Sequence, residues 1–182
     1  MSTENKNITI LGAGLVGSLL SIYMSRRGYN VSIYERRVDM RKATISAGKS
    51  INLALSDRGW KGLKGVGIEE AIQKVAIPMD RRIMHNVKGE LTSQQYGEDG
   101  QSIYATSRGI LNCVMMDEAE KSGVKIHFNH RCTGIDIDKN ISKFDYNGAE
   151  VEVKSRLIFS ADGAFSAGRL QMQLSTDRFE YS

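Results

Sequence analysis

The sequence holds little that would staple or stiffen a chain. Among 182 residues there is one proline, Pro78, and there are two cysteines, Cys113 and Cys132, too far apart for a CxxC pair. That argues against a disulfide framework and a thiolate metal knuckle, and both thiols are expected to be reduced. No run of about 18 apolar residues occurs, so no membrane span is expected. The opening MSTENKNITI has neither the basic start nor the apolar stretch of a signal peptide, and a cytoplasmic location is expected. The formal charge of +4 is not drawn into a basic stripe interleaved with aromatics, which argues against a nucleic-acid partner. What remains is an ordinary globular composition, 41% apolar and 25% charged, long enough for one well-cored domain.

What is present starts with ILGAGLVGSLL, in which Gly12, Gly14 and Gly17 are spaced GxGxxG. NITIL before it reads as a buried strand. Leu15 to Arg27 reads as a helix with Leu15, Leu19, Ile22 and Tyr23 on its buried face and Gly28 as its stop. Tyr29 to Tyr34 reads as a second strand, completing a βαβ unit. In that context Gly12 permits the tight turn, Gly14 lets backbone approach a pyrophosphate, and Gly17 lets helix and strand pack closely. The helix N-terminus offers free N–H groups to phosphate. Glu35 stands 18 positions after Gly17, where a carboxylate meets the ribose hydroxyls. The residues alone fit FAD or NAD. Arg36 and Arg37 would suit a 2′-phosphate, but Glu35 would repel one. The basic residues Arg36, Arg37, Arg41 and Lys42 also read as a solvated loop face.

Further along, helices are expected at Asp57–Leu63 and Ile68–Val75. An antiparallel excursion is expected over 78–104, with turns at Lys88-Gly89 and Glu98-Asp99-Gly100. A helix is expected from Ser107, its candidate N-cap, to Ser122. Strands follow at Val124–Phe128, as a hairpin over Ile135–Val153 around Asn147-Gly148, and at Leu157–Ser160, read as buried. The fold class is α/β: a Rossmann-like parallel sheet, a helix layer and a small antiparallel ribbon.

Two later segments, SRGIL at 107–111 and FSADGAFSAGR at 159–169, together with the glycine turn, resemble the flavin-dependent aromatic hydroxylases. GAGLVGSLL, KSINLALSDRGWKGLKGVGIEEAI, IPMDRRIMH, QYG and KIHFNHR are similar to the kynurenine 3-monooxygenase family, from about Ile8 to the final FEYS. The resemblance implies FAD as cofactor, NADPH and O₂ as co-substrates, and hydroxylation of L-kynurenine to 3-hydroxykynurenine by way of a flavin hydroperoxide. It implies flavin contacts at Gly12, Gly14, Val16, Gly17, Tyr34, Glu35, Arg36, Arg37, Ala54, Arg108, Cys132 and Asp162. It also implies that Arg82 and Tyr96 hold the substrate, Arg82 as a fork on the amino-acid carboxylate. The alternative for Arg82 is a surface arginine paired with Asp80. No protein side chain is expected to act as a nucleophile, since flavin carries the chemistry.

No GDAAH-like string follows Arg169, and Ala167-Gly168 replaces the β-branched residue that commonly precedes the arginine. The chain therefore reads as the N-terminal part of an FAD-binding domain, an incomplete domain that is inactive alone. Its uncovered faces invite self-association. Competing functions are another FAD-dependent aromatic hydroxylase, a flavin reductase, or a non-catalytic dinucleotide-binding module. No metal site is expected: His127 and His130, placed on one strand, would point to opposite faces. His85 reads as a strand surface or packing residue. Met115 and Met116 read as core, and Trp60 as a helix core contact, with packing near the flavin as its alternative.

Overall fold

The computed structural model describes residues 6–42, 51–98 and 101–176. Asp99 and Gly100, expected in a turn, lie outside them, as do 1–5, 43–50 and 177–182. The elements run β1 (Asn7–Leu11), α1 (Leu15–Arg26), β2 (Asn30–Tyr34), β3 (Asn52–Leu55), α2 (Asp57–Lys64), α3 (Glu69–Gln73), β4 (Ile77–Met79), β5 (Arg81–His85) and β6 (Leu91–Gln95). Then follow β7 (Ile103–Ser107), α4 (Arg108–Lys121), β8 (Lys125–His127), β9 (His130–Asp136), β10 (Ile141–Tyr146), β11 (Ala149–Lys154), β12 (Leu157–Ser160) and α5 (Ala167–Leu174). The chain forms two compact units, residues 1–46 with 115–182, and residues 47–114.

The first unit is built on a parallel sheet of order β12-β1-β2-β8. Ile8, Ile10, Val31 and Ile33 fill one of its faces and are at most 4% exposed. Helix α1 buries Gly17, Ser18, Ser21 and Ile22. Of the four residues expected on its buried face only Ile22 is buried; Leu15, Leu19 and Tyr23 are half-buried. The reason is close approach. A Cβ at Gly17 would sit inside the Gly12 carbonyl oxygen, so small residues, not leucines, make the contact.

Strands β9, β10 and β11 form an antiparallel meander. The hairpin around Asn147-Gly148 is present, with both turn residues at positive φ (51° and 85°), as a tight two-residue turn requires. Strand β9 was not expected, because its alternation is blunted by Gly134 and charged residues. Phe144, fully buried on β10, stacks on Tyr34 at 4.3 Å between ring centroids. Strand β12 is not the buried strand expected from LIFS: it is a sheet edge, paired on one side only, with Leu157 43% exposed. Met115 and Met116, in the second half of α4, are core as expected.

The second unit contains an antiparallel sheet of order β3-β7-β4 and a separate β5–β6 hairpin. The antiparallel excursion is thus two structures. Only residues 81–95 form the hairpin, turned at Asn86–Gly89, where the Asn86 side chain accepts the Lys88 and Glu90 N–H groups at 2.9 Å each. Strand β7 instead joins β3 and β4, and its last residue is Ser107, the expected helix cap. Strand runs directly into helix there, with Ser107 paired to Asn52. Every residue of β5 and β6 is exposed, His85 among them. Trp60 packs edge-to-face on Tyr104 at 5.0 Å. Leu63, Val66, Ile68 and Ile72 are buried.

Candidate functional site

The glycine turn sits at the carboxyl end of β1. The Gly12 N–H donates to the Tyr34 carbonyl at 2.8 Å, and its φ of +94° turns the chain toward α1. A Cβ at Gly12 would lie 2.7 Å from the Ala161 carbonyl oxygen, so the turn is pressed against the end of β12. Gly14 is different. It is extended, it caps α1, and a Cβ there would meet nothing within 4 Å. Among the described residues no side chain caps α1, and no acidic residue occupies its first turn. Among the described residues nothing neutralises the positive end of this helix, which suits a phosphate. Val16, 70% exposed, borders that space.

Glu35 ends the second strand with 6% exposure. Its Oε2 accepts the Ala13 N–H at 2.9 Å. Its Oε1 accepts the Arg37 N–H at 3.0 Å and Arg37 Nε at 2.9 Å. Burial alone would raise the Glu35 pKa, and it is the largest single influence. The Arg37 side-chain bond, the two backbone N–H bonds and the Arg37 charge together outweigh it and hold the carboxyl below its ordinary value. The backbone on either side is fixed too: Glu35 N–H donates to His127 O at 2.8 Å and His130 N–H to Glu35 O at 2.9 Å. An ionised, immobilised acceptor at this place can take two ribose hydroxyls and disfavours a 2′-phosphate.

Asp162 lies where β12 meets the turn. Its Oδ2 accepts the Ala167 N–H at 2.7 Å, while Oδ1 is buried with no hydrogen-bond partner among the described residues. An unmatched buried carboxylate oxygen is costly, and a ligand hydroxyl would satisfy it. Cys132 is nearby. Burial, followed by the Asp162 charge, pushes its thiol up despite a contact from Sγ to the Gly134 carbonyl at 3.6 Å. A protonated thiol is a poor nucleophile, which fits a backbone role.

Two readings of this region change. His127 and His130 do not share a strand: β8 ends at one and β9 begins at the other, with Asn129 at φ 59° between them. Their rings therefore lie on the same side, 5.7 Å apart, and His127 stacks on Tyr34 at 4.6 Å. Nor are the basic residues after Glu35 all solvated. Arg36 is exposed and Arg37 is bound to Glu35. Arg41, whose side chain is 18% exposed, ion-pairs with Asp39 at 2.8 Å, Asp117 at 2.8 Å and Glu120 at 2.5 Å. Its guanidinium also lies 5.6 Å from the Phe128 ring centroid. The acids of α4 are too distant in sequence for any local pattern to have signalled this cluster.

The second unit holds the other expected residues. Ala54 on β3 pairs with Ala105, and Arg108 opens α4 with its N–H donating to the Ile51 carbonyl at 3.2 Å. Arg82 on β5 faces Gln94 on β6, and its Nε and one terminal nitrogen both donate to Gln94 Oε1. Asp80, weighed as its partner, pairs with Arg81 instead at 3.1 Å, because alternation along β5 turns Arg81 and Arg82 to opposite faces. Tyr96 is 42% exposed, and its N–H donates to the Asp80 carbonyl at 2.9 Å. The structure thus gathers Gly12, Gly14, Glu35, Arg37, Cys132 and Asp162 within the first unit, and Arg82 and Tyr96 on or beside the hairpin of the second.

The first-unit set fits FAD: an open approach at Gly14, an uncapped helix end, a fixed carboxylate at Glu35 and an unmatched acceptor on Asp162. Residues 5–182 match the family model described as FAD binding domain. The chain is 43% identical over 181 residues to the kynurenine 3-monooxygenase of Christiangramia forsetii, covering 98% of this chain and 40% of that protein. It is 45% identical to that of Myxococcus xanthus, covering 97% and 39%. The chain therefore spans about 40% of the length of the curated relatives it matches. Among solved structures, p-nitrophenol 4-monooxygenase PnpA of Pseudomonas putida superposes with a TM-score of 0.77 at 18% identity, over 93% of this chain and 44% of that one. The flavin-dependent monooxygenase PieE, solved with FAD and substrate, gives 0.75 at 18%, over 96% and 33%. Those two likenesses carry the fold. The chain belongs to the FAD-binding domain family, and FAD is its cofactor.

Proposed function

We propose that this chain is the adenosine- and pyrophosphate-binding part of a flavoprotein that hydroxylates L-kynurenine at ring position 3 with NADPH and O₂. The observation that carries the binding role is the Glu35 carboxylate, held between the Ala13 N–H and Arg37 at the mouth of the glycine turn. The substrate rests on similarity to kynurenine 3-monooxygenases at 39–45% identity.

When bound, the flavin supplies the electron transfer and oxygen chemistry. The chain's residues bind and orient. The N-terminus of α1, with Gly14 and Val16, takes the pyrophosphate, and Glu35 with Arg37 takes the adenosine ribose. Asp162 Oδ1 accepts from a ribitol or ribose hydroxyl, and Ala54 and Arg108 are the further flavin contacts that the family resemblance implies. Arg36, Tyr34 and the Cys132 backbone border the adenosine end. Arg82 pairs with the substrate carboxylate as a planar fork, and Tyr96 offers a ring face and a hydroxyl. The exposed hairpin and the exposed Phe165, Leu170 and Leu174 favour self-association.

The test has two steps. FAD is titrated into the chain, following flavin fluorescence; saturable binding supports the site. The protein at the length of its relatives is then assayed for NADPH oxidation stimulated by L-kynurenine, with 3-hydroxykynurenine as product. FAD binding without a kynurenine response overturns the substrate and leaves the cofactor.

A further inference from the structure

Side chains alternate along β1 and β2, and the two faces they make differ. One face carries Ile8, Ile10, Val31 and Ile33, all buried. The other, in the rows nearest the strands' amino ends, carries Asn7 beside Asn30 and Thr9 beside Ser32, extended by Lys125 beside Ser32 on β8. A parallel sheet is normally apolar on both faces because both are covered. Higher on the same face the rule is obeyed, where Tyr34 is sandwiched between His127 and Phe144. The polarity is confined to the half away from the glycine turn. There a cavity of about 580 Å³ opens, walled opposite by Lys154 and Ser155 at the end of the meander. Thr9 and Ser155, both buried, share a hydroxyl–hydroxyl bond of 2.6 Å beneath it.

We propose that this cleft is a second ligand site, for a small multivalent oxyanion such as a phosphate group. Its lining carries two ammonium groups, Lys125 and Lys154, and no carboxylate. Neither lysine ion-pairs among the described residues, whereas Lys121, Lys139 and Lys143 all do. Tyr29 and Ser32 border the same space, as do Asn7 and Asn30, where the Asn30 amide donates to the Asn7 side-chain oxygen at 3.2 Å. An apolar occupant would leave the two ammonium groups without a counter-charge, and a cation would be repelled. The volume lies within the range of small-molecule sites. The cleft is at the opposite end of the strands from the glycine turn, so it is not part of the dinucleotide site.

The test is ¹H–¹⁵N spectroscopy of the chain titrated with inorganic phosphate at constant ionic strength. Saturable shifts are expected at the amides of residues 30–32, 125 and 154–155. In the double variant Lys125→Gln, Lys154→Gln binding weakens by about tenfold or more, from two charge-assisted contacts of about 1 kcal/mol each. Unchanged amide positions for Ile10 and Phe144 establish that the variant is folded. A cleft that holds water alone gives no saturable shift there and overturns the proposal. So do shifts confined to Gly12–Val16, or a double variant that binds as tightly as the parent.

Discussion

The Glu35 carboxylate accepts the backbone N–H of Ala13 at 2.9 Å, tying the end of one strand to the turn that follows another. After the Arg37 side chain, this bond helps keep the carboxylate ionised, and it fixes its direction. Glu35→Ala is expected to weaken FAD binding by about tenfold to a hundredfold, the loss of one or two charge-assisted hydrogen bonds. Glu35→Gln should fall between, because the amide keeps the Ala13 contact and loses the charge. Flavin fluorescence titration measures both. Equal affinity in all three proteins would remove Glu35 from the site.

Gly14 and Gly17 separate binding from folding. Nothing lies within 4 Å of a Cβ at Gly14, so Gly14→Ala should leave stability within about 1 kcal/mol while crowding the pyrophosphate and weakening FAD. At Gly17 the same methyl meets the Gly12 carbonyl oxygen, which is backbone and cannot swing away. Gly17→Ala should cost about 1–3 kcal/mol of stability. Urea unfolding with and without FAD distinguishes the two.

Much of this was legible in the sequence for a local reason. The βαβ unit, Glu35 and the Asn147-Gly148 hairpin are all written within stretches of a few residues, and all are found. What was not legible depends on distant partners. Leu15 and Leu19 matched a helical period, but the approach set by Gly17 gave the buried face to serines. LIFS is apolar enough for a central strand, yet no further strand pairs beyond it among the described residues. Arg41 looked like its solvated neighbours until α4 brought Asp117 and Glu120 to it. Arg82 and Tyr96 came from resemblance alone, since an exposed arginine and tyrosine on a hairpin carry no signal of their own.

Stability should respond to pH in two steps. His127 is pushed below its ordinary value, first by burial and then by the charges of His130 and Lys125; Tyr34 stacks on it as well. The folded state therefore holds it neutral, while the unfolded chain protonates near pH 6.5. Its contribution is present above about pH 6.5 and is lost as pH falls through the lowered folded value. Glu35, also lowered, contributes above its ordinary value near about pH 4.3 and loses that contribution further down. Urea midpoints should be level near neutrality and decline below about pH 6.5. His127→Phe should flatten the upper part of the decline and leave the acidic part. A profile unchanged by that substitution would remove His127 as the cause.

Arg41 fastens the loop that follows Glu35 to the far end of α4. The favourable part of this cluster lies with Asp39, whose side chain is 9% exposed, against 50% and 42% for Asp117 and Glu120. Exposed pairs contribute little because water and salt screen them. Removing Arg41 strands Asp39 in a half-dry environment, and the Asp39 carboxyl, held low chiefly by its hydrogen bond to Arg41, should rise. Arg41→Ala is expected to cost about 1–3 kcal/mol, and Asp39→Ala less. In the double variant the two losses should not add, because the second substitution removes the charge stranded by the first. The same loop carries Arg37, whose carbonyl accepts the Asn129 N–H at 3.1 Å and whose guanidinium holds Glu35. Arg41→Ala should therefore also weaken FAD by a few fold, while Asp117→Asn should not. Additive losses in the cycle would mean that Arg41 acts through Asp117 and Glu120 on the surface rather than through the loop.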